Sequence, residues 1–368
     1  MTRPTLRSLV SWVVIGPIVA MIVLAFTWGK GKDLPPVVVG FVAIVLGVAV
    51  LAAVHHAEVV AHRVGEPFGS LVLAIAVTII EVALIVTLML SGGPETASLP
   101  RDTVFAAVMI TCNGIVGLSL LLGAVRFKIT MFNAEGTGAA LATVATLATL
   151  SLVLPTFTTS RPGPEFSPAQ LAFAAVASLV LYGAFVLTQT VRHRDFFLPV
   201  TSKGVVVEAE EHANPPSTRA AAASLALLLL ALAAVVGLAK VESPAIEAGL
   251  ASAGLPASFV GVVIALLVLL PETLAATRNA LRDRIQTSLN LALGSAMASI
   301  GLTIPTIAVA TIWIDKPLLL GLGTTQMVLL ALTIVVSVLT VVPGRATRLQ
   351  GTVHLVLLAA FLFLAINP

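Results

Sequence analysis

The sequence has little charge and almost no cysteine. Asp, Glu, Lys and Arg together make up 10% of its 368 residues, and Cys112 is the single cysteine. A chain with one cysteine forms no intrachain disulfide, and this cysteine does not indicate a redox compartment. The low charge, with 58% hydrophobic residues and a mean hydropathy of +1.08, excludes an ordinary soluble globular domain. The chain is therefore expected to lie in a membrane.

Enzyme motifs are also missing from the sequence. It contains no nucleophile elbow, no paired metal-ligand histidines within its apolar segments and no glycine-rich phosphate loop. The net charge of +3 is modest, and we attribute it to basic loops rather than to nucleic-acid binding. An intramembrane enzyme is therefore disfavoured, and we expect neither a cofactor nor a nucleic-acid partner.

Long apolar runs recur along the whole chain. They are continuous rather than alternating, and about 20 apolar residues in a helix cross the hydrocarbon of a bilayer. The runs predict eleven spans near residues 8–28, 35–55, 68–90, 103–125, 137–157, 170–191, 219–239, 257–277, 287–312, 317–342 and 348–366. We interpret the first as a retained span rather than a signal peptide, since no small-residue cleavage site follows it. The expected fold class is an all-α integral membrane protein.

The basic residues predict an orientation. With a cytoplasmic N-terminus, fourteen of the twenty Lys and Arg residues, beginning with Arg3 and Arg7 and including Lys203, fall on the cytoplasmic side. Eleven spans then place the C-terminus outside. The longest polar connector, residues 192–218, becomes a cytoplasmic linker. Its acidic run from Glu208 to Glu211 is interpreted as hydrated, with a regulatory cation site as the minority alternative.

The two halves of the chain resemble each other. Shifting one half by 191 residues aligns "VLAIAVTIIE", which ends at Glu81, with "VIALLVLLPE", which ends at Glu272. The predicted third span runs outward and the eighth inward, so the halves are inverted, as in many secondary transporters. The expected parts are an extra N-terminal helix in 1–30, a first five-helix repeat in 31–191, the linker 192–218 and a second five-helix repeat in 219–368.

Glu81 and Glu272 are the two acidic residues predicted to lie well inside spans. The other fifteen of the seventeen are assigned to connectors or helix ends. A carboxylate inside a membrane costs at least a few kcal/mol unless it is protonated, paired or hydrated, so such residues indicate function. Burial disfavours the ionised form and a bound cation favours it, so protons and cations would compete for both groups. The alternative is a protonated glutamate that hydrogen-bonds between helices.

Small and oxygen-bearing residues accompany the two glutamates in the predicted spans. Those favoured as cation or proton ligands are Thr78, Asn113, Gly294 and Ser295. Pro271 also frees a backbone carbonyl one turn before it, beside Glu272. With Glu81 and Glu272 as the metal ligands, these oxygens suit Ca²⁺, which takes six to eight, whereas Na⁺ could use fewer. Close packing between helices is the alternative role of such small residues.

A histidine-rich cluster ends the second predicted span. His55, Glu58 and His62 lie three and seven residues apart on one helical face, at the inner membrane boundary. A cytoplasmic entry funnel, a pH sensor and a metal site are all open interpretations. A fourth interpretation is that the cluster is simply a solvated helix end. The spacing is not that of a metalloprotease, because no Glu directly follows the first of two histidines four residues apart.

Two segments resemble a known family. "GEPFGSLVLAIAVTIIEVALIV" and "LLPETLAATRNALRDRIQTSLNLALGSAMASIGLTIP" are similar to the bacterial calcium/proton and sodium-potassium/proton antiporters of the cation/calcium exchanger superfamily. The resemblance implies two alpha repeats, near 66–125 and 257–312, each with an acidic residue in its first helix and a Gly-Ser element in its second. Glu81 and Glu272 match the acidic positions, and Gly294 with Ser295 matches the second Gly-Ser. In the first repeat Asn113 stands in the Gly-Ser region, which departs from the pattern.

The resemblance implies a secondary active transporter of the bacterial inner membrane. Cytoplasmic Ca²⁺, or Na⁺ or K⁺, would exchange for protons by alternating access at the two glutamates. The transported cations and protons, together with the lipid bilayer, are then the expected partners, and the sequence indicates no oligomeric state. The alternatives are a passive cation channel, which also needs acidic residues along its pore, and an Na⁺/H⁺ antiporter without calcium activity.

Overall fold

The computed structural model describes residues 11–31, 34–65, 68–91, 93–200, 216–313 and 317–368. In this part of the chain, ten helices are long and apolar enough to cross a membrane, and one shorter apolar helix precedes them. The prediction of an all-α protein with about eleven such helices is confirmed. The described residues do not include Arg3, Arg7, Lys203 or the acidic run from Glu208 to Glu211.

The helices follow one another with short connectors. They are α1 Trp12–Thr27, α2 Pro36–Val64, α3 Phe68–Ser91, α4 Thr96–Phe127, α5 Ala134–Phe157, α6 Pro168–Arg192, α7 Thr218–Ser252, α8 Phe259–Ala280, α9 Ile285–Ala310, α10 Thr324–Val341 and α11 Arg348–Ile366. Such helices satisfy their own backbone hydrogen bonds, which lipid cannot do. Two short strands, Thr130–Met131 (β1) and Arg345–Ala346 (β2), pair antiparallel.

Local sequence explains where several helices begin. Asn133 caps α5 because its side-chain oxygen accepts hydrogen bonds from the backbone N–H groups of Glu135 and Gly136. Ser167 caps α6 in the same manner, and Pro168 occupies the first helical position, where no backbone donor is needed. The polar connectors therefore set the ends of these helices, and the apolar runs supply their length.

Two helices extend well beyond their predicted ends. α2 continues past residue 55 to Val64, and α7 continues past residue 239, through Pro244, to Ser252. Hydropathy falls at these points, but Ala, Glu, Lys and Arg are good helix formers, so the backbone remains helical. In contrast, α10 begins at Thr324, later than the predicted start at residue 317, and residues 317–323 are not helical.

The chain divides into two compact units. The first comprises Met1–Thr96 and Ala213–Ala257, and the second comprises Ala97–His212 and Ser258–Pro368. α1, α2, α3 and α7 belong to the first unit, in which α7 packs against the other three. His56 of α2 contacts both α1 and α7. Its ring nitrogens lie 2.9 Å from the carbonyl oxygen of Val13 and 3.3 Å from the hydroxyl of Ser224.

In the second unit, α4 and α11 approach each other at two glycines. A Cβ on Gly351 would lie 2.5 Å from the backbone nitrogen of Leu121, and a Cβ on Gly117 would lie 2.8 Å from the Cβ of His354. Any larger residue at these positions would force the helices apart. This close approach brings His354 against the middle of α4.

Candidate cation-binding site

Glu81 lies near the middle of α3, in the first unit. It is thirteen residues from Phe68, the start of the helix, which corresponds to about 20 Å along the axis. Its side chain is 2% exposed, and that of Thr78 is 6% exposed. Residues three apart share a face of a helix. A carboxyl group and a hydroxyl group therefore lie together on one buried face of α3.

Glu272 lies in the second unit, within α8. It is 7% exposed and follows Pro271, which is inside the helix. Because proline has no N–H, the carbonyl of Leu267 loses its usual helical donor. The hydroxyl of Thr273 donates to the carbonyl of Leu269 at 2.7 Å, which leaves that oxygen occupied. The carbonyl oxygen of Leu267, one turn before Pro271, is therefore the one that an ion or water could contact.

Gly294 and Ser295 lie on α9, which packs against α8. Both residues are partly exposed, unlike the buried residues that flank them. A Cβ built on Gly294 would meet no atom within 4 Å. Helix packing therefore does not require glycine at this position. The absence of a side chain leaves open space at this position of α9.

Asn113 belongs to a buried hydrogen-bond network. Its amide nitrogen donates to the hydroxyl of Thr333 on α10 at 2.9 Å, and its amide oxygen lies 3.1 Å from Nδ1 of His354 on α11. Nε2 of His354 lies 3.1 Å from the hydroxyl of Thr340. A neutral imidazole with its proton on Nδ1 satisfies both contacts, since it donates to Asn113 and accepts from Thr340. The network joins α4, α10 and α11.

The helix is widened at Asn113. Residues Ile110–Ile115 form a π-helical turn within α4, which is fully buried. This turn packs against both α8 and α9. In the second unit the structure therefore brings the Asn113 segment to the two helices that carry Glu272, Gly294 and Ser295. The amide oxygen of Asn113 is directed at His354, which gives this residue a packing role, and its role as an ion ligand stays a prediction.

Sequence reasoning missed the partners of Asn113. Thr333 and Thr340 are unremarkable in an apolar helix, but His354 interrupts the run "GTVHLVLLAAF" and is 0% exposed. A histidine in the interior of a predicted span is a signal of a buried polar network or a functional site. That signal was available in the sequence.

Another buried carboxylate lies in the first unit. Glu242 is 3% exposed and occupies the extended part of α7. The assignment of every acidic residue other than Glu81 and Glu272 to a connector or helix end is therefore wrong for Glu242. The error arose because α7 was predicted to end at residue 239.

The histidine-rich cluster lies on the last turns of α2. His55, Glu58 and His62 are all exposed, whereas the adjacent His56 is buried and bridges helices. Within the described residues, no three His, Cys, Asp or Glu side chains are grouped so that they could hold a metal ion. The geometry thus gives no support to a metal site here. The entry and pH-sensing roles stay predictions.

Comparisons with known proteins support a transport role. The profile of the sodium/calcium exchanger protein family matches residues 35–191 and 223–367. The protein y4hA of Sinorhizobium fredii, which is named as an ionic transporter, is 47% identical over 324 residues, covering 87% of this chain and 86% of its own. The sodium-potassium/proton antiporter ChaA of Escherichia coli is 35% identical over 350 residues, covering 95% and 94% of the two chains.

Solved structures share the fold. Native YfkE superposes with a TM-score of 0.70 at 14% identity, covering 97% of this chain and 99% of that one. The H⁺/Ca²⁺ exchanger CAX gives a TM-score of 0.69 at 15% identity, with 95% and 86% covered. At these identities the likeness shows the fold alone. It confirms the fold class expected from the sequence, a helical membrane protein with about eleven helices, and the division into two five-helix repeats stays a prediction.

Proposed function

Because the chain belongs to the sodium/calcium exchanger family, we propose that it exchanges Ca²⁺ for protons across the membrane. Family membership makes it a multi-pass membrane protein that exchanges cations. The finer proposal is that protons and the cation compete for Glu81 and Glu272. No covalent chemistry is needed for such exchange.

One observation carries the proposal. Glu81 and Glu272 are 2% and 7% exposed, and each lies inside a helix long enough to cross a membrane. Retaining a buried carboxylate in such a helix is costly, and transporters use such groups as proton relays and ion ligands. Three features support this role: a hydroxyl on the same face of α3 as Glu81, a carbonyl freed in α8 before Glu272, and open space at Gly294 on α9, the helix that packs against α8.

The mechanism follows from charge. A proton on a glutamate removes the negative charge that attracts a cation, and a bound cation stabilises the ionised form that a proton would neutralise. Each carboxylate then holds either a proton or a cation. If access alternates between the two sides only when the carboxylates are occupied, a proton gradient drives the cation outward.

The choice of ion rests on charge and ligand number. Two carboxylates match a divalent cation, and Ca²⁺ prefers hard oxygen ligands such as carboxylates, hydroxyls and carbonyls. A specific observation favours a second candidate, exchange of Na⁺ or K⁺ for protons. The relative that is 35% identical over 95% of this chain is named a sodium-potassium/proton antiporter.

The proposed location is the bacterial inner membrane, with a cytoplasmic N-terminus and an external C-terminus. The bias of basic residues supports this orientation. The end of the first unit that carries His55 then faces the cytoplasm, where the exposed Glu58 and His62 would meet the entering cation. The opposite end of that unit faces outward.

Exchange in sealed vesicles tests the proposal. Purified protein is reconstituted, a pH gradient is formed, the membrane potential is clamped, and Ca²⁺, Na⁺ or K⁺ is added separately. We expect Ca²⁺ to collapse the gradient, and we expect Glu81→Gln and Glu272→Gln each to abolish this response. Glu135→Gln serves as the control, because that glutamate is exposed in the first turn of α5.

The outcomes separate the alternatives. A response to Na⁺ or K⁺ but not to Ca²⁺ would replace the calcium proposal with the second candidate. Passage of tracer cation without proton movement would indicate a passive channel. Normal exchange in both Gln variants would show that these glutamates are not the site.

A further inference from the structure

Glu242 is a buried carboxylate that the exchange mechanism above does not use. Its side chain is 3% exposed, and its Oε1 atom is buried with no hydrogen-bond partner. No described Lys, Arg or His lies within ion-pair distance of it. An ionised carboxylate in this setting is costly, whereas a neutral, protonated one is tolerated.

The neighbouring helices offer no charge to neutralise Glu242. α1 carries no ionisable residue, and the one on α3 is Glu81. The ionisable residues of α2 are His55, His56, Glu58, His62 and Arg63, all in its last turns. Arg63 donates to the hydroxyl of Thr218 at 2.9 Å, so these residues lie at the level where α7 begins. Glu242 comes 24 residues later, about 36 Å away along the helix.

Among the residues that the structure describes, the nearest basic ones are also engaged elsewhere or exposed. Lys240 precedes Glu242 by two residues, and positions two apart do not face each other on a helix. Its ammonium group lies 5.2 Å from the centre of the Trp28 ring. Lys30 is exposed in the turn after α1. That turn touches α7, since a Cβ on Gly31 would be 2.6 Å from the carbonyl oxygen of Val241.

These contacts give the depth of Glu242 within the first unit. Glu81 lies about 20 Å from the start of α3. That start follows closely after Arg63, so α3 and α7 begin at similar levels. Glu242 is therefore about 16 Å beyond Glu81, toward the end of the unit where α1 ends. In the proposed orientation this is the external side.

The surroundings of Glu242 suit a proton better than a metal ion. Ca²⁺ takes six to eight oxygens. Near Glu242 the Ser243 hydroxyl already lies 3.4 Å from a carboxylate oxygen of Glu247, and Pro244 frees one carbonyl, that of Lys240. A proton needs a single oxygen, and one is available at Oε1.

We propose that Glu242 is a second proton-binding group, which takes up protons from the external side and passes them through water toward Glu81. The carboxylate accepts a proton from hydronium and becomes a neutral carboxylic acid, with release of a water molecule. It returns the proton to water on the path to Glu81. This inference rests on the proposed function, because a relay is needed only if protons are exchanged.

The test compares Glu242→Gln with Glu247→Gln in the purified, reconstituted protein. Glu247 is exposed on the same helix, so its replacement controls for the loss of one charge on α7. Cation-driven proton movement is measured at an external pH of about 6 and at an external pH of about 8. Protons are scarce at the higher of these two values. We expect Glu242→Gln to slow exchange at least about fivefold at the higher pH and less than about twofold at the lower, because proton relays matter most when protons are dilute.

A second readout does not depend on transport. The infrared absorption of a protonated carboxylic acid is followed as pH rises in wild type, Glu242→Gln and Glu247→Gln. We expect one titrating band to be lost in Glu242→Gln alone. Glu242→Asp, which keeps the carboxyl group, should retain a band and part of the exchange at high pH, and it replaces the Gln variant if that variant does not fold.

The outcomes decide between relay and packing. Loss of the band together with the pH-dependent slowing supports the proposal. An unchanged pH profile, or the absence of any band lost in Glu242→Gln, overturns it. If wild type shows no exchange at all, the proposed function fails, and the infrared result still decides whether Glu242 binds a proton.

Discussion

Replacing Gly294 with alanine should separate folding from transport. A Cβ at this position of α9 would meet no atom within 4 Å, so the methyl group causes no clash. Alanine in the interior of a helix is more favourable than glycine by about 0.5 to 1 kcal/mol. The same geometry holds at Gly183 of α6, where a Cβ also meets nothing within 4 Å. Both variants should therefore raise the free energy of unfolding by about the same amount.

Their effects on exchange should differ. Gly294 precedes Ser295, and α9 packs against the helix that carries Glu272. Oxygen ligands approach Ca²⁺ to within about 2.3 to 2.6 Å, so a methyl group in that space would exclude the ion or its water. We expect Gly294→Ala to slow exchange at least about tenfold, which corresponds to about 1.4 kcal/mol of barrier. Gly183→Ala should transport as wild type does.

Thermal unfolding in detergent and exchange in vesicles, both scaled to the amount of folded protein, measure the two effects. Normal exchange in Gly294→Ala would refute the role given to the open space. Lower stability in Gly294→Ala than in Gly183→Ala would refute the description of that space as open.

Three further predictions concern packing in the second unit. Gly351→Ala should lower the free energy of unfolding by about 1 to 3 kcal/mol, because its Cβ would lie 2.5 Å from a backbone nitrogen of α4, and denaturant unfolding against Gly183→Ala checks this. A double-mutant cycle of Asn113→Leu and His354→Leu should give a coupling of about 0.5 to 3 kcal/mol in unfolding, whereas purely additive losses would contradict the hydrogen bond. Asp102→Asn should lower the free energy of unfolding by about 1 to 3 kcal/mol in the same assay, because the buried carboxylate accepts hydrogen bonds of 2.8 Å from Ser98 and Arg101. An unchanged free energy of unfolding would show that these hydrogen bonds are not needed.

The helices could be predicted because the bilayer leaves the backbone few choices. A continuous apolar run in lipid must satisfy its hydrogen bonds within the segment, which a helix does. The eleven runs accordingly became helices, and their caps at Asn133 and Ser167 are local features of the sequence. Helix ends were less predictable, because hydropathy reports where lipid contact stops and not where the backbone leaves the helix.

The candidate site could be predicted only in part. Glu81 and Glu272 were selected because an acid in an apolar run is conspicuous, and the structure places both in buried positions. The partners of Asn113 are different in kind, since His354 and Thr333 lie 241 and 220 residues away from it in sequence. Contacts over such separations depend on how helices pack, and the spacing of residues along one helix does not contain that information. The choice of Asn113 as an ion ligand therefore stays a prediction.

Glu242 shows why the count of embedded acids was too low. In "GLAKVESPAIEAG" the charges at Lys240, Glu242 and Glu247 and the proline at 244 all resemble the end of a span, yet the helix continues to Ser252. Burial of Glu242 comes from the helices packed around α7, whereas Lys240 on another face reaches the Trp28 ring and stays exposed. A charged residue within one or two turns of a predicted span end can thus be embedded whenever its helical face points inward. Because only a narrow stripe of α7 is exposed here, and that stripe includes Lys240 but not Glu242, the residue in the costly position is the acid, and a proton would remove that cost.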